Sequence, residues 1–483
     1  MHFIDIIIFI IYFTLMLGVG YYFYRKNRSV DDYYVGGRSM GAWHIGLSVV
    51  ATDVGGGFSI GLGGLGFVMG LSGSWLLFTG LIGAWMAAVV LIPRVWELAY
   101  QKRFLTFPQM FGHFYNGNAA VLAGIISATG YVGFTSSQML AGAKLADAAF
   151  TDINQSKAVI IMGAIIIVYT VLGGIKAVIY TDTIQWSILI AGLILVGIPV
   201  AYINVGGWET IQSILEPSHF SLRHIHWSQF VNWFVTIVPI WFVGMTLYQR
   251  IYASKSVKEA RKAWFIAGLF EWPVMAFMGV TLGLLAKVAY ETGLFDQTII
   301  PGTVLDPEAG LPLLLVHVLP VGLLGIMMSA YFSAIMSTAD SCLMAASGNL
   351  LTDILQKIKG IDKRSKSIWF SQLLTLLLGL FALLLAMKMT NVLELMLYSY
   401  AFMVSGLFAP VLGLLFIKNP HPAAAISAMI TGGSITLILI IAEAQLPFGF
   451  DPNVFGITTS ALVFLLTNSI LTIKHNKLYR NGN

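Results

Sequence analysis

Thirteen apolar stretches, each long enough to cross a bilayer, follow one another along this chain with short gaps. They run 3–24, 42–70, 73–96, 119–149, 158–178, 182–204, 228–248, 262–288, 311–346, 367–387, 391–417, 422–442 and 454–473. A helical span needs about 20 apolar residues. Backbone polar groups in hydrocarbon must be satisfied within their own segment, so such stretches fold as helices. The expectation is an all-α integral membrane protein with about 13 transmembrane helices. Hydrophobic residues make up 57% of the chain and charged ones 10%, against about 25% charged in soluble domains. No stretch reads as a soluble appendage, so residues 1–483 form a single membrane domain. Cys342 is the one cysteine, which excludes an intrachain disulfide. The first stretch lacks a basic flank before it and is long enough to span, so it reads as a helix rather than a cleaved signal.

Lys and Arg set the orientation. With the N-terminus outside, all but five of the 27 basic residues fall in inner loops; Lys144, Lys157, Arg223, Lys287 and Lys388 are the exceptions. The C-terminus is then cytoplasmic and the protein is multi-pass in the plasma (inner) membrane. The net charge of +5 is thereby a matter of topology, and nucleic acid is not an expected partner.

Within the second apolar stretch lies "ATDVGGGFSIGLGG", Ala51 to Gly64. Gly61, Gly63 and Gly66 match a dinucleotide-type spacing, but no acid occurs between Asp53 and Glu97, where such a site needs one. Close helix packing accounts for Gly61 to Gly66. Gly55, Gly56 and Gly57 cover most of a turn and read instead as an unwound segment. Unwound backbone at membrane depth lines a cavity and offers free carbonyls to a cation. Asp53 beside it costs about 2.5–3.5 kcal/mol to insert. It reads as a functional acid, the alternative being a salt bridge to a buried base, of which the spans hold few.

A second unusual stretch is "SAYFSAIMSTADSCLMAASGNLLTDI". Ala334, Ser337, Thr338 and Ser341 share one helix face, with Asp340 beside it. Hydroxyl oxygens are hard ligands for a small hard cation. The alternative is back-bonding to the helix's own carbonyls.

These residues resemble the sodium/solute symporters, the family of sodium-coupled proline, pantothenate, sugar, sialic acid and choline carriers. "DDYYVGGRSMG", "YTVLGGIKAVIYTDTIQ", "YQRIYASKSVKEARKA" and "SAIMSTADS" are similar to four family motifs, in order and at the right spans. The resemblance implies a LeuT-type transport fold of two inverted five-helix repeats, 42–204 and 228–417. Helix 3–24 precedes them and two helices in 422–473 follow. It implies breaks in the second and seventh spans, where Gly55–Gly57 and Pro239 with Gly244 stand. It implies sodium held by the carbonyls of Ala51, Val54 and Ala334 and the hydroxyls of Ser337 and Thr338. Asp53, Asp182, Asp340 and Ser341 would tune that ion or hold a second one, although Asp340 departs from the usual Ser. Substrate would meet Gly55, Gly57, Phe58, Trp75, Ser136, Gln138, Trp241, Gly244 and Met245. Choline carriers have Trp where this chain has Asp53 and Gly244, so the aromatic cage for a quaternary ammonium is missing.

The expected activity is symport, by a monomer in the lipid bilayer: sodium influx driving uptake of a small organic solute such as an amino acid, vitamin, carboxylate or sugar. The rivals are proton coupling through Asp53 or Asp340, and a non-transporting sensor, which usually needs a longer tail than the residues after Ile473. An enzyme is not expected, since no H-E-x-x-H or comparable set is present.

Overall fold

A computed structural model describes residues 1–26, 35–150, 153–172, 175–296, 304–354 and 367–481. Asp31 to Tyr34, Gly173, Gly174 and the bases Arg28, Lys357, Lys359, Lys363, Arg364 and Lys366, all used above, lie outside them. Among the described residues every regular element is helical, with one isolated β-bridge between Met40 and Ser254.

The chain begins with α1 (Phe3–Lys26). The second span is split into α2 (Ala42–Asp53) and α3 (Gly55–Met69). Next come α4 (Trp75–Met86), α5 (Ile92–Lys102), α6 (Pro108–Phe114), α7 (Gly117–Ala149) and α8 (Gln155–Leu172). They are followed by α9 (Ile175–Gly192), α10 (Ile198–Asn204) and α11 (Gly207–Ile214). The seventh span is split into α12 (Trp227–Val243) and α13 (Met245–Ala253), bent by 43°. Then follow α14 (Val257–Leu269), α15 (Ala276–Glu291), α16 (Pro307–Val318) and α17 (Leu323–Asn349). The chain ends with α18 (Ser367–Ala386), α19 (Val392–Phe416), α20 (Pro422–Ile441) and α21 (Pro452–Asn481).

Among the described residues eight helical runs are long and apolar enough to cross a membrane, and the bent pair α12–α13 makes a ninth. Four shorter apolar helices lie in Phe3–Met16, Gln155–Val171, Pro307–Val318 and Gln372–Ala386. Two sequence boundaries change. The stretch 311–346 is not one span: α16 stops at Val318 and α17 starts at Leu323. Pro320 and Gly322, the latter at φ 88°, end one helix and start the next inside an uninterrupted apolar run. In the other direction, Gly55–Lys102 is one continuous helical run, and only Gly70, at φ 70°, turns α3 away from α4.

The split helices sit at the centre. α2 packs on α9 and α14, α3 on α15 and α16, and both run against α17. α7, the long helix of the core, packs along α17 and α19. α1 lies against the outside of α17, while α20 and α21 pair with one another beside α19. Side chains fix the ends of these elements. Asn116 caps α7 by accepting the Ala119 N–H at 2.9 Å. Ser256 caps α14 by accepting the Glu259 N–H at 3.2 Å. Glu259 accepts the Ala42 N–H at 2.7 Å, which pins the start of α2 to the start of α14.

Candidate functional site: the two helix breaks

The break in the second span is narrower than three glycines suggest. Only Gly55 is left-handed, at φ 56°, the conformation that glycine alone adopts without strain. Gly56 and Gly57 are already helical, in the first turn of α3. They are glycine for a packing reason, and each faces a different neighbour. A Cβ on Gly56 would run into Ile335 of α17, and one on Gly57 into the amide of Gln138 on α7. One turn of helix is thus wedged between two others. Gly61, Gly63 and Gly66 are packing glycines as expected, against Leu393, Leu311 and the backbone at Val280.

At this break the Ala51 carbonyl takes a hydrogen bond from a side chain, the Thr338 hydroxyl, at 2.9 Å. The same hydroxyl is 3.0 Å from the Ala334 carbonyl, and Ser337 Oγ is 3.1 Å from it. Ala51, Ala334, Ser337 and Thr338 therefore converge, all buried. The Val54 carbonyl accepts the Phe58 N–H at 3.1 Å, so only its second lone pair is open. Two carbonyls and two hydroxyls form a set of neutral hard oxygens, which suits sodium and not a transition metal. Among the described residues no cluster of three or more His, Cys, Asp or Glu could hold a metal.

Beneath this set is an unanticipated base. Arg250, placed above in an inner loop, is fully buried in α13. Its guanidinium donates to Ser48 Oγ at 3.0 Å, to Ser341 Oγ at 3.0 Å and to Thr52 Oγ1, and it lies 3.6 Å from Asp182 Oδ2. Asp182 also accepts from Ser48 at 2.5 Å. Asp340 Oδ1 accepts from Thr170, and among the described residues Asp340 Oδ2 has no donor. Asp182 and Ser341 are thus engaged by a fixed cation at the position where the resemblance puts a second ion.

Among the described residues Asp53 has no base beside it. Tyr400 of α19 donates to its Oδ1 at 3.2 Å, and its carboxyl lies in hydrogen-bonding reach of a second carboxyl, that of Glu271. Glu271 is fully buried, and neither of its oxygens receives a donor. It is turned inward by a kink at Trp272 (φ −137°, ψ 112°) before Pro273, between α14 and α15. Gly80 of α4 makes room for it, because a Cβ there would strike Glu271 Oε2. Two carboxyls in contact in a buried site require a proton or a cation between them. Glu271 was missed from the sequence, although an acid inside an apolar run was the same signal that singled out Asp53.

Of the expected substrate residues, the structure groups Gly55, Gly57, Phe58, Gln138 and Gly244. Gln138 Oε1 accepts the Gly57 N–H at 3.1 Å. Phe58 lies 6.3 Å from the Tyr400 ring, which stacks on Phe134 at 4.9 Å. Across the second break, Tyr131 of α7 accepts the Thr246 N–H at 3.1 Å and so caps α13 just past Gly244. Tyr131, Phe134 and Tyr400 are therefore added to the group. The remaining candidates point elsewhere. Trp75 donates to the Leu222 carbonyl. Trp241 packs on Trp264, with Gly83 against its ring. Met245 accepts the Phe107 N–H through sulfur, and Ser136 back-bonds to Val132.

Two helix breaks, four aromatic rings and an acid thus surround one spot, a closed chamber in which every one of these residues is buried. The N-termini of α3 and α13 both open at it, and helix N-termini carry positive potential. Split helices that present an N-terminus to a solute and free carbonyls to an ion are a device of secondary transporters.

Comparison with known proteins agrees. Residues 33–432 match the sodium:solute symporter family. The chain is similar to the high-affinity proline transporter PutP of Bacillus subtilis, 30% identical over 88% of this chain and 89% of that one. It is also similar to the osmoregulated proline transporter OpuE of the same organism, 28% identical over 99% and 97% of the two chains. Among solved structures, the substrate-bound outward-open state of a sodium-coupled sialic acid symporter superposes with a TM-score of 0.80 at 20% identity, covering 97% of this chain and 98% of that one. That likeness carries the fold, which is LeuT-type. The chain belongs to the sodium:solute symporter family and is a multi-pass membrane carrier that couples sodium to the movement of a small organic solute.

Proposed function

We propose that the solute is proline or a small zwitterionic amino acid like it, imported without chemical change through the chamber between the two helix breaks. The observation that carries this reading is the chamber's polarity. Among the described residues no lysine or arginine touches Phe58, Phe134 or Tyr400, so a solute carboxylate has the N-termini of α3 and α13 and the bound sodium as its positive partners. Asp53 and the Tyr400 hydroxyl stand opposite as partners for an ammonium group. Phe58, Phe134 and Tyr400 pack together there and give an apolar wall against which a compact aliphatic ring would lie. The proline transport named for two relatives supports the same choice.

Sodium is held by Ala51, Ala334, Ser337 and Thr338, with Val54 contributing its free lone pair. The N-terminus is outside, the C-terminus is cytoplasmic, and the carrier works as a monomer with residues 42–204 and 228–417 as its two repeats. One sodium suffices as driving force. A charge crossing 100 mV supplies about 2.3 kcal/mol, and a tenfold gradient adds about 1.4 kcal/mol. Together these sustain roughly 500-fold accumulation.

The test is uptake of labelled proline into proteoliposomes under an imposed sodium gradient, in competition with a panel of amino acids, sugars and carboxylates. Sodium-dependent uptake displaced best by proline or a close analogue is expected. Uptake driven by a proton gradient at zero sodium, or a panel in which a sugar or dicarboxylate displaces best, overturns it.

A further inference from the structure

Between α1, α8, α9 and α17, away from the chamber's aromatic wall, is a cavity of about 340 Å³. Phe13 and Met16 of α1, Ile165 and Val168 of α8 and Met336 of α17 give it apolar walls. Gln185 of α9 lines it together with the hydroxyls of Ser333 and Ser337 on α17.

The cavity faces hydrocarbon. Ile165 and Val168, both on its wall, are 40% and 61% exposed. Their exposed neighbours Ile161 on α8 and Ile184 on α9 are apolar as well, so the surface around the opening is one that a bilayer covers. Its depth is that of the bilayer centre. With a rise of about 1.5 Å per residue, Ser337 lies about 21 Å from the start of α17 at Leu323 and about 18 Å from its end at Asn349.

Gln185 supplies the independent observation. Its side chain is almost fully buried, and its Nε2 donates to the Met16 sulfur at 3.4 Å. A thioether has no hydrogen to give, so the amide nitrogen belongs on that side and Oε1 is the atom left over. Among the described residues Gln185 Oε1 is buried without a donor. A buried carbonyl without a donor in a native fold calls for an explanation. Water is a poor one, because a buried water needs about two to four polar partners and most of this wall is carbon. A hydroxyl carried on an apolar body answers both features at once.

We propose that this cavity is a binding site for a neutral, membrane-dissolved amphiphile with an apolar body and one hydroxyl group, entered sideways from the bilayer. The hydroxyl donates to Gln185 Oε1, and the apolar body lies against Phe13, Met16, Ile165, Val168 and Met336. A phospholipid headgroup is excluded by depth, since charge is costly at the bilayer centre. A plain acyl chain would fill the space and leave the Gln185 oxygen bare. A zwitterionic solute is excluded too, because no Asp, Glu, Lys or Arg lines the cavity to meet its charges. The volume is in the range of small-molecule sites. The site does not depend on which solute the carrier moves, and it meets the transport machinery at one residue, Ser337, whose hydroxyl is among the proposed sodium ligands.

Photolabelling of the purified full-length protein tests this. The protein is placed in nanodiscs of dioleoylphosphatidylcholine, a lipid without a hydroxyl donor, and exposed to dodecanol carrying a diazirine on its chain. Labelled peptides are read by mass spectrometry. Labelling of the wild type saturates and concentrates on the stretches of α1, α8 and α17 that wall the cavity. At equal mole fraction in the bilayer, unlabelled dodecanol competes about fivefold better than dodecane, which is what one neutral hydrogen bond is worth, and excess proline does not compete. Gln185→Leu abolishes the preference for the alcohol over the alkane. Ala164→Trp, an exposed position on the cavity wall, removes saturable labelling, whereas Leu380→Trp, exposed on α18, leaves it in place. Thermal melting of each variant establishes that it is folded; should Gln185→Leu fail to fold, the alkane comparison and Ala164→Trp still decide. Labelling that never saturates or that spreads evenly around the perimeter, dodecane competing as well as dodecanol, an alcohol preference that survives Gln185→Leu, or saturable labelling that survives Ala164→Trp overturns the proposal.

Discussion

The Arg250 guanidinium lies 3.6 Å from the Asp182 carboxylate, with both side chains fully buried. A fixed positive charge thus stands among the groups that would otherwise hold a second ion, and it brings Ser341 with it. The expected stoichiometry is one sodium per solute. Reversal-potential measurements on proteoliposomes, with sodium and solute gradients varied independently, read this ratio, and a value of two rejects it. Removing one partner of a buried ion pair leaves the other charge uncompensated, at a cost of about 3–5 kcal/mol. Arg250→Met should therefore express poorly, while Arg250→Met combined with Asp182→Leu should recover much of the loss.

Thr338 and Ser337 give the second prediction. Their hydroxyls face the Ala51 and Ala334 carbonyls at 2.9 to 3.1 Å. Loss of two of the five proposed oxygen ligands should raise the half-saturating sodium concentration by about tenfold or more, each ligand being worth roughly 1 kcal/mol. Solute affinity at saturating sodium should change far less. The double Ala variant, quantified in the membrane and titrated with sodium, checks this. An unshifted titration places the ion elsewhere.

The helical spans, the break at Gly55 and the hydroxyl face of α17 were legible because each leaves a local mark: apolar length, consecutive glycines, hydroxyls at helical spacing. Arg250 was not legible. It lies in the last turn of a short helix, "MTLYQRIYA", next to a basic loop, and nothing local distinguishes a buried base from the start of that loop. Glu271 faces Asp53 only because a kink at Trp272 turns it inward, and its partner is remote in sequence. The roles of Gly56 and Gly57 depend on what faces them, Ile335 and Gln138, which no local pattern encodes. Long-range pairing is the part of a membrane site that periodicity does not carry.

The glycines separate conformation from packing. Gly55→Ala must adopt φ 56° and presses on Thr338, so it combines backbone strain of about 1 kcal/mol with a displaced sodium ligand. Gly56→Ala keeps a helical backbone and collides with Ile335 instead. A compensating Ile335→Ala change should therefore rescue transport by Gly56→Ala and fail to rescue Gly55→Ala. Uptake by the four variants, normalised to protein in the membrane, decides the matter. Equal rescue of both would mean that the left-handed turn has no role in holding the ion.

Asp53 and Glu271 share one buried site, and Tyr400 touches only Asp53. Asp53→Asn removes the charge next to the sodium-binding carbonyls and should raise the sodium requirement sharply, with less effect on solute affinity at saturating sodium. Glu271→Gln leaves Asp53 ionised and supplies it with an amide donor, so sodium binding should hold or tighten. The opposite ranking, with Glu271→Gln the more damaging in a sodium titration, would make Glu271 the acid that serves the ion.

Asp451 gives a stability prediction with a definite sign. Its carboxyl is lifted from 3.8 to about 6 by burial, so the folded protein holds a proton there more tightly than the unfolded chain does. Stability from this group is fully present below pH 3.8 and is lost as pH rises through about 6. At pH 7.5 the wild type carries an uncompensated, half-buried charge that Asp451→Asn removes. The variant should then melt at a higher temperature than the wild type at pH 7.5, and the difference should shrink steadily to nothing as pH is lowered toward 4. Thermal melting of both proteins in the same detergent across that range, without solute, measures this. A constant offset at every pH would trace the change to the amide's own contacts, and a variant less stable at pH 7.5 would show that the carboxylate has a partner that offsets its burial.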